Sequence, residues 1–237
     1  MMEGGIYTAL TRQSGLMREM QVVAHNIANI STTGFRREGV IFSEYVQRVE
    51  DGPSLSMATG DTRHMDLRQA GLSQTGGTFD FAIQGEGFFL VETPQGHALT
   101  RAGGFTPNAE GELVNADGNR LLDAGGAPVF VPPDVSGIAL STDGTLSGNG
   151  QPIAQLGLWQ PGDPLQMTHA GGTIFNSSSV VPTEGATILQ GFLEESNVNP
   201  ISEIARMIEV QRAYEMGQGF LEKEDERMRG LIQTLGR

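Results

Sequence analysis

The chain has 237 residues, a formal net charge of −13, no cysteine and 33 glycines, the last about twice the usual share of roughly 7%. Without cysteine there is no disulfide framework, thiolate metal site or cysteine nucleophile, and an acidic chain is a poor match for nucleic acid, whose phosphates call for a dense basic face. No apolar run reaches the roughly 18 residues of a membrane span, and the opening Met1-Met2-Glu3-Gly4-Gly5 lacks the basic-then-apolar pattern of a cleaved signal, so composition alone assigns the chain to the cytosol.

Residues 1–35 hold the first predicted element, a helix. Ile6, Leu10, Gln13, Met17, Met20, Ala24 and Ile27 recur at alternating steps of four and three, the rhythm of a coiled-coil seam. Ala9, Leu16 and Val23 widen the stripe. The helix should stop near Asn29-Ile30, because Ser31-Thr32-Thr33-Gly34 is turn chemistry and Gly34 can take a left-handed cap. Residues 36–77 read as an extended linker, irregular from Gly52-Pro53-Ser54 onward.

Residues 78–195 read as a β domain. Phe79, Phe81 and Ile83 alternate with polar residues, and Phe88-Phe89-Leu90-Val91 follows. Turn signals recur at Gln95-Gly96, Gly103-Gly104, Glu110-Gly111, Asp117-Gly118, Gly125-Gly126 and Asp143-Gly144. Short strands with glycine-rich turns predict an antiparallel barrel or sandwich. Nearly all the excess acid lies here: residues 78–200 carry a net charge of −11, and the flanks −1 each.

Residues 196–237 are predicted to form the second helix, which pairs with the first. All 11 prolines fall between Pro53 and Pro200, so both chain ends are free of them, as long helices require. Asn199 can cap the second helix with Pro200 at its first position. Met207, Val210, Tyr214, Gly217, Leu221, Glu224, Met228, Leu231 and Leu235 keep the three-four alternation, with Gly236 placed as a C-terminal cap. Ile201, Ile204 and Ile208 form a second apolar stripe. The expected fold class is α+β: an antiparallel β barrel or sandwich flanked by long coiled-coil-type helices.

No catalytic, cofactor-binding or metal-ligating set emerges. His25, His64, His97 and His169 are far apart and read as surface or loop residues. Gly85-Glu86-Gly87 lacks the third glycine of a dinucleotide loop, and Lys223 is the only lysine. The pair Glu194-Glu195 and the acids of the β region lack the aromatic-lined cleft of a glycosidase, and Asp117-Gly118-Asn119 reads as a hairpin turn rather than a calcium loop.

Three stretches together resemble the flagellar rod and hook family. Asn26-Ile27-Ala28-Asn29-Ile30-Ser31-Thr32-Thr33-Gly34-Phe35-Arg36-Arg37 is similar to its N-terminal signature. Leu193 to Val198, followed by Met207 to Glu215 with Gln211 inside it, is similar to its C-terminal signature. Phe79 to Phe89 and Leu99 to Phe105 match its central β segment. Length and the opening Ile6-Tyr7-Thr8-Ala9-Leu10 favour the proximal rod branch, with the distal rod as alternative. A different class, a periplasmic carbohydrate-binding or hydrolytic β-domain protein, is the remaining reading.

The resemblance implies a structural subunit, not an enzyme, with no cofactor. It implies export without a cleaved signal through the flagellar type III apparatus, which displaces the cytosolic assignment. It further implies assembly with other rod subunits into a periplasmic helical tube. The assembly residues it and the apolar stripes mark are Ile6, Leu10, Met17, Met20, Ile27, Asn29, Thr32, Gly34, Phe35, Asn197, Ile201, Ile204, Ile208, Val210, Gln211, Tyr214, Leu221, Met228, Leu231 and Leu235.

Overall fold

The computed structural model describes residues 2–47, 55–183 and 185–235. They fall into two compact units. One combines the two terminal helices with a strand pair ending at His64; the other takes Asn29–Arg37 and Met65–Val198.

In the helical unit, α1 runs Met2–Ala28 and α2 runs Pro200–Leu235. The end of α1 falls one residue before the expected stop. Asn199 caps α2 as its chemistry dictates: its Oδ1 accepts from the Ser202 amide at 3.1 Å and its carbonyl from the Glu203 amide at 3.1 Å. The linker expected over 36–77 holds two long paired strands, Glu38–Gln47 and Leu55–Met65. Their alternation is weak, which is why the sequence reads as irregular there. The Gly52-Pro53-Ser54 turn and the Gly236 cap lie outside the described residues.

The β unit is mostly antiparallel, but among the described residues no barrel closes. Its largest sheet has seven strands in the order Thr168–Gly171, Ile174–Asn176, Gly96–Thr100, Phe89–Thr93, Arg120–Leu121, Leu113–Val114 and Thr106–Pro107. Smaller sheets finish the unit. Thr187–Gln190 pairs with Phe81–Gln84, and Phe192–Glu194 pairs with Leu72–Gln74.

The central hairpin explains the unbroken apolar run at Phe88-Phe89-Leu90-Val91. Leu90 faces Leu99 and Val91 faces Ala98 across it. Phe89, Val91 and Ala98 enter one core with Phe81, Leu113, Leu121 and Leu146. Leu90 and Leu99 enter a second with Phe88, Leu122, Met167 and Phe175. Both faces of the hairpin are therefore buried, and alternation disappears from its sequence.

Candidate assembly interface

Within the helical unit, α1 and α2 touch through a ladder of polar contacts. Asn26 on α1 is fully buried: its Nδ2 donates to Glu203 Oε2 on α2 at 3.0 Å and to the Glu38 carbonyl at 2.8 Å. Its Oδ1 accepts from the Glu38 amide at 2.9 Å. Further along, Arg206 Nε donates to Glu19 at 2.6 Å. Burial works against the Arg206 charge, but its hydrogen bonds to Glu209 and Glu19 prevail and raise its pKa. Gln13 Nε2 then donates to the Tyr214 carbonyl at 3.0 Å. Contacts at 26 with 203, 19 with 206 and 13 with 214 descend on one helix as they climb on the other, so the pair is antiparallel.

Gly217 interrupts the α2 stripe for a steric reason. A Cβ there would lie 2.8 Å from Gln13 Nε2, so glycine lets that amide reach the α2 backbone. The packed face of α1 only partly matches the expected stripe: Gln13, Leu16 and Val23 belong to both, and Glu19, Val22 and Asn26 join them. Gln13, Leu16, Glu19, Val22, Val23 and Asn26 are buried, whereas Leu10, Met17 and Ala24 are exposed. The packed face thus combines part of the expected apolar stripe with the cross-helix hydrogen bonds of Gln13, Glu19 and Asn26.

On α2, Val210 is buried, and Met207, Tyr214 and Leu221 are half-buried. The second stripe points outward: Ile201, Ile204 and Ile208 are 80%, 51% and 46% exposed. Gln211 and Met228 are exposed as well, and Met20 and Ile27 are half-buried. The side chains of Ile6, Leu231 and Leu235 lie outside the described residues.

The signature residues Asn29, Thr32, Gly34, Phe35 and Asn197 belong to the β unit and make contacts inside it. Thr32 Oγ1 donates to Asn29 Oδ1 at 3.0 Å, closing the turn. Gly34 takes φ +73°, and a Cβ there would sit 2.3 Å from the Ala102 amide nitrogen. Both the left-handed backbone and the close approach demand glycine. Phe35 is fully buried and stacks on His169 with centroids 5.1 Å apart, and His169 in turn packs on Phe175 at 4.6 Å. His169 is thus part of the packing rather than a loop residue. Asn197 ties three segments: its Oδ1 accepts from the Arg37 amide at 2.6 Å, and its Nδ2 donates to the carbonyls of Asp66 at 2.8 Å and Arg68 at 3.0 Å.

Beside Asn197 lies a group that the sequence reading did not single out. Glu194 is fully buried between two buried arginines, with Arg36 Nη2 at 2.7 Å from Oε1 and Arg101 Nη1 at 2.9 Å from Oε2. The Ala70 amide also donates to Oε1, at 2.8 Å, and the Gly34 amide to the Glu194 carbonyl, at 2.8 Å. Arg101 stands over the Phe88 ring at 5.2 Å and donates to the Gly85 carbonyl at 2.8 Å. Burial pushes the Arg101 pKa down to about 10; Glu194 opposes the fall and Arg36 adds to it. At neutral pH Arg101 stays charged. The three partners of the Glu194 carboxylate, Arg101, Arg36 and Ala70, lie 93, 158 and 124 residues from it in sequence, separations no local pattern reveals.

The described residues contain no group of three or more histidines and acids able to hold a metal ion, and no described helix is long and apolar enough to cross a membrane.

Three family descriptions match the chain in order: "Flagella basal body rod protein" over residues 6–36, "Flagellar hook protein FlgE/F/G D1 domain" over 82–148, and "Flagellar basal body rod FlgEFG protein C-terminal" over 189–234. The chain is 37% identical to the flagellar basal-body rod protein FlgF of Mesorhizobium japonicum, covering 99% of each chain. It is 36% identical to FlgF of Caulobacter vibrioides over 100% of this chain and 99% of that one. Against the flagellar basal-body rod protein FlgG of Bacillus subtilis it is 29% identical, with 96% and 97% covered.

Proposed function

The chain belongs to the flagellar basal-body rod protein family, and from that membership we propose that it is a structural subunit of the rod, polymerising through its terminal helices into a helical shaft. The observation that carries the assembly mode is the outward stripe Ile201, Ile204 and Ile208, on a helix whose opposite side already packs on α1. Large apolar residues aligned along a solvent-facing helix call for a neighbour. A growing tube needs a heterologous contact, because a closed two-fold dimer presents no free surface for the next subunit.

The proximal part of the rod is the proposed position. Identity is higher to the FlgF relatives, at 37% and 36%, than to the FlgG relative, at 29%. Rod subunits of both types are the proposed partners. The flagellar type III apparatus is the proposed route to the periplasm, with no signal cleaved, and a chain without cysteine suits an oxidising destination.

Imaging basal bodies from a deletion strain tests this reading. Rods should stop just beyond the inner membrane and be restored by the gene supplied in trans. Rods of full length in the deletion strain would overturn the assembly role, and rods that stop only near their outer end would move the subunit to the distal position.

A further inference from the structure

The β unit draws its closing elements from both ends of its sequence. Asn29–Arg37 arrives from one end, and Thr187–Gln190 and Phe192–Glu194 from the other. These meet at Glu194. One carboxylate accepts from Arg36, Arg101 and the Ala70 amide, while the carbonyl of the same residue accepts from the Gly34 amide. Arg36 is 0% exposed and Arg101 2% exposed, and Arg36 Nε, Arg36 Nη1 and Arg101 Nε have no hydrogen-bond partner. Arg101 also donates to the Gly85 carbonyl and stands over Phe88, but Glu194 is the anion that both buried guanidiniums share.

We propose that Glu194 is a two-ended latch that makes the docking of Asn29–Arg37 and the docking of Thr187–Glu194 mutually dependent. The physical reason is charge. If the early segment docked alone, Arg36 and Arg101 would be buried together with no anion between them, and like charges in a low-dielectric interior repel strongly. If the late segment docked alone, Glu194 would be buried with one of its two guanidiniums missing. Half-closed forms are thereby disfavoured from either side.

The latch has a use in this fold. Phe81–Gln84 and Leu72–Gln74 find strand partners in Thr187–Gln190 and Phe192–Glu194. A form with the early segment seated and the late strands absent would leave those edges open, and open edges recruit other chains. Coupling the two ends removes the form in which an apolar, partly built sheet persists with bare edges.

Hydrogen exchange on the full chain tests the latch directly. In the unaltered protein the protected amides of residues 29–37 and 187–194 should open in one step, with protection factors within threefold of each other. Full-chain Arg36→Met/Arg101→Met/Glu194→Leu, which fills the same space without charge, should keep a similar unfolding midpoint but uncouple the ends, so that residues 29–37 exchange at least tenfold faster than 187–194. Glu194→Gln should lower the folded-to-unfolded ratio at least 100-fold, read from Trp159 fluorescence. The proposal is overturned if the two segments already open independently in the unaltered protein. It is equally overturned if the apolar triple variant preserves their coupling, or if Glu194→Gln changes the ratio less than threefold.

Discussion

The two units differ in how much apolar surface they bury, although both tie distant segments together with buried polar groups. In the β unit, two apolar cores enclose the central hairpin, and the buried charges of Arg36 and Arg101 meet at Glu194 deep inside. In the helical unit, the large apolar residues buried among the described ones are Leu16, Val22, Val23 and Val210. At about 1.5–3 kcal/mol each, they supply a small part of what the β unit buries. The helices are aligned by Gln13, Glu19 and Asn26 with α2, contacts that fix direction and register more than they add stability. The apolar surface that would complete this unit points outward at Ile201, Ile204 and Ile208.

The sharpest way to break the comparison is at Gly34. Valine there meets the Ala102 and Arg101 backbone and must also hold φ +73°, which a β-branched residue resists. Gly34→Val should cost more than about 4 kcal/mol, in the range of exceptional single substitutions. The clash lies inside the β unit, so the loss should appear as a collapsed urea midpoint of Trp159, the only tryptophan, with far-UV helical signal retained. A midpoint displaced by less than about 1 kcal/mol would mean that the loop can move away, and that the signature glycine serves the turn alone.

Asn26→Ala probes the other unit. It removes three hydrogen bonds, one to the buried Glu203 carboxylate and two to the Glu38 backbone, for an expected loss of about 2–4 kcal/mol. Hydrogen exchange should show faster opening of α1 and α2 with β-unit amides unchanged. A matching loss in the β unit would deny the separate character of the two.

The sequence made some of this legible and hid the rest, for physical reasons. Local chemistry was readable. Asn199 and Pro200 open α2, the turn after Ala28 ends α1, and Gly118, Gly126 and Gly144 all take positive φ in tight turns. Contacts across long separations were not. The Arg36–Glu194–Arg101 group looks like three unrelated charges, because its members lie in three segments that only the fold assembles. The packed face of α1 was legible only in part: Gln13, Leu16 and Val23 of the expected stripe are buried, but Leu10, Met17 and Ala24 are exposed, while Glu19 and Asn26, polar residues with partners on α2, are buried. Of the barrel or sandwich expected from strand density, no barrel closes among the described residues, where Thr168–Gly171 and Thr106–Pro107 stand at opposite ends of the seven-stranded order.

Asn199→Ala asks how much of α2 depends on its first turn. The cap supplies one side-chain acceptor, to the Ser202 amide, so the loss should be about 1 kcal/mol. It should be confined to exchange in the first turn of α2. A loss as large as that of Asn26→Ala would mean that the cap, rather than the polar ladder, sets the helix pair.

Ile204→Asp should have the smallest effect on the isolated chain and a large one on assembly. Ile204 is 51% exposed and sits opposite the side of α2 that carries Val210, so aspartate meets water and stability should stay within about 0.5 kcal/mol. A neighbour seated on the stripe would have to desolvate that carboxylate against isoleucine-sized apolar surface, and incorporation into rods should fail. The measurement is paired: thermal unfolding of purified protein, and imaging of basal bodies from cells that carry the variant alone. Unchanged rods would show that the outward stripe is a tolerated surface. An unfolded chain would show that Ile204 belongs to the intramolecular core. Normal unfolding with absent rods is the result expected of a helix pair whose missing apolar partner is another subunit.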